Sequence, residues 1–390
     1  MMKKKKIALL GSTGSVGGNT LKVIEDLGGE MTLLALTARG NERLLARQAN
    51  RFKPPFIGLV EQEKIPALRR SLSYRPKIFS GNDSLVKLAA LPQADLVVIA
   101  TTGISGLLPL WAALEAGKNV AMANKEALVV AGDLIKKLAR KKKAQIIPMD
   151  SEHNAIFQCI ENRSPGEIKK IILTASGGPF YQKGLASLKK VSPEEALAHP
   201  LWKMGKKITV DSATLINKGL EVMEAQSLFN LKLSQIEVLI HPQGLVHGLV
   251  ELIDGGILAF LSKPDMRLPI QHALTFPRRR KSTLSPLKLA GMSKLEFSKP
   301  DYRRFSGLRL ALQSARTGGT MPAVFNAANE TAVEYFLQGE INFLAIPELI
   351  KKVMSRHSPA ANPELEEILN ADGWARQESL KLIERNLLKC

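Results

Sequence analysis

The sequence predicts an α/β chain in which a doubly wound parallel sheet comes first, a central α+β domain follows, and a small helical domain ends the chain. Three observations predict it. Over residues 1–149 short apolar runs alternate with helical stretches, the pattern of strands joined by crossover helices. A glycine-rich turn separates the first run from the first helix, as in sheets that bind nucleotides. From 305 to 390 the apolar residues recur at helical spacing.

Residues 6–10 read as the first strand, followed by Gly11-Ser12-Thr13-Gly14-Ser15-Val16-Gly17 and a helix to about Leu27. Such a turn lets backbone N–H groups approach a pyrophosphate at the positive end of the helix. The spacing is G-x-x-G-x-x-G rather than G-x-G-x-x-G, so a plain tight turn remains open. The second strand, 31–36, ends at Thr37-Ala38-Arg39-Gly40-Asn41 with no acid at its tip. An arginine there suits a ribose 2′-phosphate, which favours NADP(H) over NAD(H). Further strands are expected at 56–60, 77–79, 96–100 and 119–123. Ala123-Asn124-Lys125-Glu126 follows the last of these at its carboxyl end, where ligands of such sheets bind.

Residues 145–149 form a further apolar run that leads into Asp150-Ser151-Glu152-His153-Asn154. In an extended chain residues i and i+2 face one side, so Asp150 and Glu152 can present two carboxylates to one cavity. Two such charges need a shared proton or a cation, and a hard dication such as Mg2+ or Mn2+ prefers these oxygen ligands. The same residues also read as a solvated turn capping a helix over 154–161.

In the centre, 171–175 read as a strand feeding Ser176-Gly177-Gly178, either an anion nest or a simple turn. His199-Pro200-Leu201-Trp202-Lys203-Met204-Gly205 reads as a mobile flap or as a loop docked on the core. Ser212 is expected to cap a helix running towards Phe229. On it Asn217 and Lys218 lie four and three residues before Glu221, so the three share a face. Asn217 and Lys218 suit a phosphate, and Glu221 can complete a three-carboxylate metal site; the alternative is a surface Lys–Glu pair.

Composition bounds these readings. The chain has 390 residues, 45% hydrophobic and 23% charged, which suits a globular protein of two or three domains. Its two cysteines, Cys159 and Cys390, give no disulfide framework and suit a reducing, cytoplasmic setting. The basic start, Lys3 to Lys6, imitates a signal peptide, but the apolar segment ends after four residues at Gly11. No apolar run approaches the length of a membrane span. The net charge of +19 fits nucleic acid, an anionic surface or phosphorylated small molecules. The basic runs are scattered and lack interleaved aromatics, so solvated faces are expected, with neither nucleic acid nor membrane as partner.

At 199–225 the match to a known family becomes specific. The chain closely resembles the 1-deoxy-D-xylulose-5-phosphate reductoisomerase family, which forms 2-C-methyl-D-erythritol 4-phosphate in isoprenoid precursor synthesis. GSTGSVG at 11–17, NKE at 124–126, MDSEHNAIFQ at 149–158, TASGGPF at 174–180 and HPLWKMGKKITVDSATLINKGLEVMEA at 199–225 carry the resemblance. HPQGLVHGLVEL at 241–252, KPDMRLPIQHAL at 263–274 and FNAANE at 325–330 extend it along the chain. It implies that Asp150, Glu152 and Glu221 hold Mg2+, Mn2+ or Co2+. Lys125, Ser151 and Glu152 would contact the hydroxyl and keto end of the substrate. Ser176, Ser212, Asn217 and Lys218 would bind its phosphate, helped by His199. His199, Lys125 and the three acids make up the implied catalytic set. Trp202 and Met204 would ride on the closing flap. Thr13, Gly14, Ser15, Val16, Arg39, Gly40, Asn41, Asn124, Glu126 and Gly205 would line the NADPH site of a Rossmann-type domain. The family often reads glycine, then a basic or small residue, then Asn, where this chain has Arg39 before Gly40. The resemblance further implies a homodimer joined through the central sheet.

Domain limits of 1–149 for NADPH, 150–276 for catalysis with a flap near 199–205, 277–304 for a basic, proline-bearing connector and 305–390 for a helical domain follow. His241 and His247 are read on one strand and one face, as core or interface residues. Asp265, Met266 and Arg267 are read as packing or subunit contacts. Helices are expected at 305–316, 323–338, 346–356 and 375–388, with Asn326 and Asn329 at helix ends and the domain junction. Two other functions compete: a simple NADP-dependent dehydrogenase of a phosphorylated molecule without rearrangement, and a nucleic-acid binder driven by charge. The first would not need three carboxylates beside a phosphate nest, and the second would leave the glycine turn idle.

Overall fold

The computed structural model describes residues 4–385. Lys3, Cys390 and the end of the last expected helix lie outside the described residues. The chain forms two compact units: residues up to Ala127 with Ile135–Asn154 and Asp265–Ser285, and Leu128–Leu134 with Ala155–Pro264 and the residues from Pro286 onward.

The first unit is built on β1 (Lys5–Leu10), β2 (Met31–Ala38), β3 (Phe56–Leu59), β4 (Lys77–Ser80), β5 (Leu96–Ile99), β6 (Asn119–Met122) and β7 (Ile146–Pro148). They make one seven-stranded sheet in the order β4-β3-β2-β1-β5-β6-β7, with every pairing parallel. Ile7, Leu9, Leu36 and Val97 are fully buried, as expected of strands covered on both faces. The strand order reverses between β1 and β5, and ligands of open parallel sheets bind at that point, beyond the strands' carboxyl ends. The segment 265–285 returns to this unit. Its helix Arg267–Thr275 packs on the helix Ser15–Asp26 and on β7, and Lys5 donates to the carbonyl of Leu274 at 2.8 Å. Asp265 and Arg267 pair with each other at 2.7 Å as this helix begins.

The second unit holds β8 (Ile168–Ala175), β9 (Ile236–Ile240), β10 (Val246–Leu252) and β11 (Ile257–Leu261), ordered β11-β10-β8-β9. β8 and β9 are parallel, whereas β10 runs antiparallel to both neighbours. The helices Ser306–Thr317, Met321–Leu337, Ala345–Ser355 and Leu365–Glu384 pack together. The helix Ile216–Phe229 lies on Ser306–Thr317 so closely that a Cβ at Gly219 would sit 2.2 Å from the Cβ of Ala311. No described helix is long and apolar enough to cross a membrane.

Five expectations need correction. Asp150 to Glu152 are not extended: the helix Ser151–Ile160 begins there, with Glu152 in its first turn. Ser212 does not cap a helix to Phe229; it lies in the last turn of Lys206–Ala213. Leu215 then takes a left-handed conformation, φ +58°, and Ile216–Phe229 starts after it. His241 and His247 do not share a strand, because β9 stops at Ile240 and a turn with Gly244 at φ +60° precedes β10. Asn326 and Asn329 sit inside Met321–Leu337 rather than at its ends. The final helix starts at Leu365, ahead of 375, because Glu364 and Glu367 form a capping box and Gly373 is carried within the helix.

Candidate functional site

In the first unit the glycine turn is shaped by close approach. Gly11 has φ +87°, and a Cβ there would lie 2.6 Å from the carbonyl oxygen of Ala100 beyond β5. A Cβ at Gly17 would lie 2.2 Å from the oxygen of Gly11. Gly14 takes the N-cap position of Ser15–Asp26 without a side-chain cap, so the first amides of that helix face outward for an anion. Thr13 and Val16 are half-buried here, and Gly14 and Ser15 exposed. Ser12 is buried and bonded to Gln48 at 2.7 Å, which fastens the turn from below.

Beyond β2, Asn41 caps the helix Glu42–Phe52 by accepting from the amide of Leu44. Arg39 is exposed, with its Nε 4.0 Å from Glu61. Lys64 pairs with Glu61 at 2.6 Å and donates to the carbonyl of Gly40 at 2.8 Å. The hydrogen bond to Glu61 holds the Lys64 ammonium above its ordinary pKa.

Further along the same sheet edge, Asn124 donates to the carbonyls of Thr101 and Gly103 at 3.0 and 2.8 Å and caps the helix that starts at Lys125. That leaves Lys125 and Glu126 nearly buried at 4% and 7% exposure. Lys125 Nζ reaches Asp150 Oδ2 at 3.0 Å. A carboxylate oxygen of Asp150 and one of Glu152 lie within 4.8 Å of each other, a spacing that suits one shared cation. The Ser151 hydroxyl donates to Glu152. Asp150 Oδ1 also accepts from the Glu152 amide at 3.3 Å, at the helix N-terminus.

Two residues that sequence reasoning missed hold this turn. Asn154 Nδ2 donates to the carbonyl of Pro148 at 2.8 Å and lies 3.0 Å from His272 Nδ1. Burial, helped by the Arg279 charge, lowers the His272 pKa to about 4. The ring is therefore neutral and its Nδ1 accepts. The motifs carried both residues, yet nothing in their spacing joined 154 to 272.

In the second unit, Gly177 and Gly178 have φ +87° and +71°, and a Cβ at Gly178 would meet the carbonyl oxygen of Ser212 at 2.7 Å. The two glycines thus bring Ser176 beside the end of Lys206–Ala213. His199 Nε2 lies 3.1 Å from the hydroxyls of both Ser176 and Ser212. Its Nδ1 accepts from the amides of Leu201 and Trp202 at 3.2 and 2.9 Å, which places the neutral ring's proton on Nε2. One imidazole joins two hydroxyls and starts the stretch carrying Trp202, Met204 and Gly205. That stretch has no regular structure. Trp202 meets His247 edge-on at 6.2 Å, and Gly205 is the N-cap of the following helix.

In the first turn of Ile216–Phe229, Asn217 Nδ2 donates to Glu221 Oε1 at 2.6 Å, and Lys218 pairs with the other carboxylate oxygen. Lys218 and Glu221 are 3% and 1% exposed, so the expected shared face is a buried charged cluster, not a surface pair. A buried charge of each sign is retained because each neutralises the other. Asp211, next to Ser212, is buried between Lys207 at 2.9 Å and Asn329 at 2.9 Å.

Comparison with known proteins points to one family along the chain. The family model 1-deoxy-D-xylulose 5-phosphate reductoisomerase matches residues 7–132. Its C-terminal domain model matches 146–229, and the DXP reductoisomerase C-terminal domain model matches 261–378. A 1-deoxy-D-xylulose 5-phosphate reductoisomerase of Pelotomaculum thermopropionicum is 51% identical over 381 residues, covering 97% of this chain and 98% of that protein. The solved reductoisomerase of Zymomonas mobilis in complex with NADPH is 40% identical with a TM-score of 0.91, covering 98% of this chain and 100% of that one. A DOX-P reductoisomerase in complex with NADPH, fosmidomycin and magnesium gives 40% identity and a TM-score of 0.92, covering 97% and 98%.

Proposed function

The chain belongs to the 1-deoxy-D-xylulose 5-phosphate reductoisomerase family, and from that premise we propose that it converts 1-deoxy-D-xylulose 5-phosphate to 2-C-methyl-D-erythritol 4-phosphate with NADPH and a divalent cation. The observation that carries the reading is the pair of carboxylates, Asp150 and Glu152, within 4.8 Å of each other at the edge of a parallel sheet. Its order reverses beside a glycine turn fit for a pyrophosphate.

In this reading Asp150, Glu152 and Glu221 hold Mg2+, Mn2+ or Co2+, whose acidic oxygen ligands match the preference of hard cations. The bound cation supplies Lewis acidity for charge that develops on the substrate's oxygens, and NADPH supplies the hydride. Lys125, paired with Asp150 at 3.0 Å, keeps a positive charge at the same edge. Ser151 and Glu152 orient the hydroxyl and keto end. Ser176, His199 and Ser212 offer donors to the phosphate, and His199 gives its Nε2 proton to either hydroxyl or to the ligand. Asn217 and Lys218 add an amide and an ammonium. Binding the phosphate away from the reacting carbons supplies orientation. Trp202 and Met204 close over the substrate and exclude water. The glycine turn, Arg39, Gly40, Asn41, Asn124, Glu126 and Gly205 receive NADPH.

We further propose a homodimer of the cytoplasm, joined through the four-stranded sheet. Its edge strand β11 and the preceding turn leave Ile257 and Ile253 56% and 68% exposed, an apolar edge of the kind that pairs with another chain. The deciding assay follows NADPH absorbance with 1-deoxy-D-xylulose 5-phosphate, with and without Mg2+ and after EDTA, and identifies the product. Oxidation that needs the cation and yields a branched skeleton is expected. Oxidation that persists in EDTA, or an unbranched product, means a simple dehydrogenase instead.

A further inference from the structure

At the tips of β2 and β3 the chain reads Arg39-Gly40-Asn41, with a glycine rather than a basic residue beside Asn41. The structure shows what lies over that glycine. The strand tips are zipped by the amides of Val60 and Glu61, which donate to the carbonyls of Ala38 and Arg39 at 3.1 and 2.9 Å. This folds the Glu61 carboxylate directly over Gly40, where a Cβ would lie 2.1 Å from Oε2. Gly40 is not in the left-handed region, so the demand for glycine is spatial. Lys64 grips both partners, pairing with Glu61 at 2.6 Å and donating to the Gly40 carbonyl at 2.8 Å. Arg39 Nε stands 4.0 Å from the same carboxylate. An anion thus already sits between two cations, one turn from the N-terminus of Glu42–Phe52, where a ribose 2′-phosphate is received in sheets of this kind.

We infer that Lys64 is a second cation of the 2′-phosphate pocket and that Glu61 is an internal anion which the phosphate displaces, so that position 61 sets the preference for NADPH over NADH. The inference rests on the reading that this chain uses NADPH. A phosphate monoester carries nearly two charges against one for a carboxylate, which lets it win both cations from Glu61. Glu42 and Glu63 also face Lys64 and keep the ammonium from leaving the turn when Glu61 releases it. NADH has no group to exchange for Glu61, so the carboxylate stays in place.

The test titrates the full-length protein calorimetrically with 2′,5′-ADP and with 5′-ADP. Wild type is compared with Lys64→Met and Glu61→Gln, whose side chains are surface-exposed enough to leave folding undisturbed. Lys64→Met is expected to weaken 2′,5′-ADP about ten-fold, the size of one charge-assisted contact, with 5′-ADP unchanged. Glu61→Gln is expected to tighten 2′,5′-ADP several-fold and leave 5′-ADP alone. Equal 2′,5′-ADP affinity in wild type and Lys64→Met, or equal weakening of both nucleotides, overturns the inference while NADPH use stands. A wild-type protein that does not distinguish the two nucleotides removes the cofactor reading, and the inference with it.

Discussion

Asn329 Nδ2 donates to Asp211 Oδ1 at 2.9 Å, and the two residues are 0% and 1% exposed. Asp211 adjoins Ser212, so a helix of the C-terminal bundle fastens the helix end that carries the hydroxyl proposed to meet the phosphate. Removing the amide by Asn329→Ala leaves a buried carboxylate oxygen short of a donor, which costs about 1–3 kcal/mol. Chemical denaturation is expected to show that loss, with a raised KM for the phosphorylated substrate. An unchanged midpoint would mean the contact is not formed in solution.

Glu221→Gln keeps the length of the side chain but gives up its charge towards the proposed cation and towards Lys218, 3% exposed. Turnover is expected to fall by about two to three orders of magnitude, the loss of several kcal/mol of charge stabilisation. The far-ultraviolet circular dichroism should stay that of the wild type. Near-normal turnover at ordinary Mg2+ would refute the metal role.

Lys218→Ala separates binding from chemistry. Losing one charge-assisted bond to phosphate is expected to raise KM roughly ten-fold or more, with a smaller effect on kcat. Steady-state kinetics reads the split directly, and a fall confined to kcat would reassign Lys218 to the reacting end.

Acid should loosen the first unit through His272. Its pKa in the fold is about 4 against an ordinary 6.5, so between those values the unfolded chain binds a proton that the native chain does not. Stability from this ring is therefore complete above about 6.5 and is lost as pH falls towards 4. Protonation would also turn the acceptor facing Asn154 Nδ2 into a donor. Thermal melts of wild type should drop between pH 7 and 5 more than those of His272→Gln, and parallel drops would clear His272 of the effect.

The strands of the first unit were legible because parallel strands covered on both faces are short apolar runs, and the runs at 6–10, 31–36 and 96–100 say so plainly. The face shared by Asn217, Lys218 and Glu221 was legible for a similar reason, since helical spacing alone joins them. What escaped depended on single dihedrals and distant partners. Leu215 carries no residue-type signal for its left-handed φ, so Ser212 was assigned to the wrong helix. The Asp150 turn reads equally as strand or helix start until Asn154 finds Pro148 and His272. Glu61 and Lys64 lie twenty residues and more beyond Gly40, and only the parallel pairing of β2 with β3 brings them over it.

The contact between Gly219 and Ala311 also limits how this protein can change. The helix bearing Asn217, Lys218 and Glu221 rests against its neighbour with only the Ala311 methyl between them at that point. Any larger residue at 219 would push Asn217, Lys218 and Glu221 out of place together, and position 311 can shrink only to glycine to make room. The three groups are therefore tied to one packing contact, and a change at 219 reaches all of them at once.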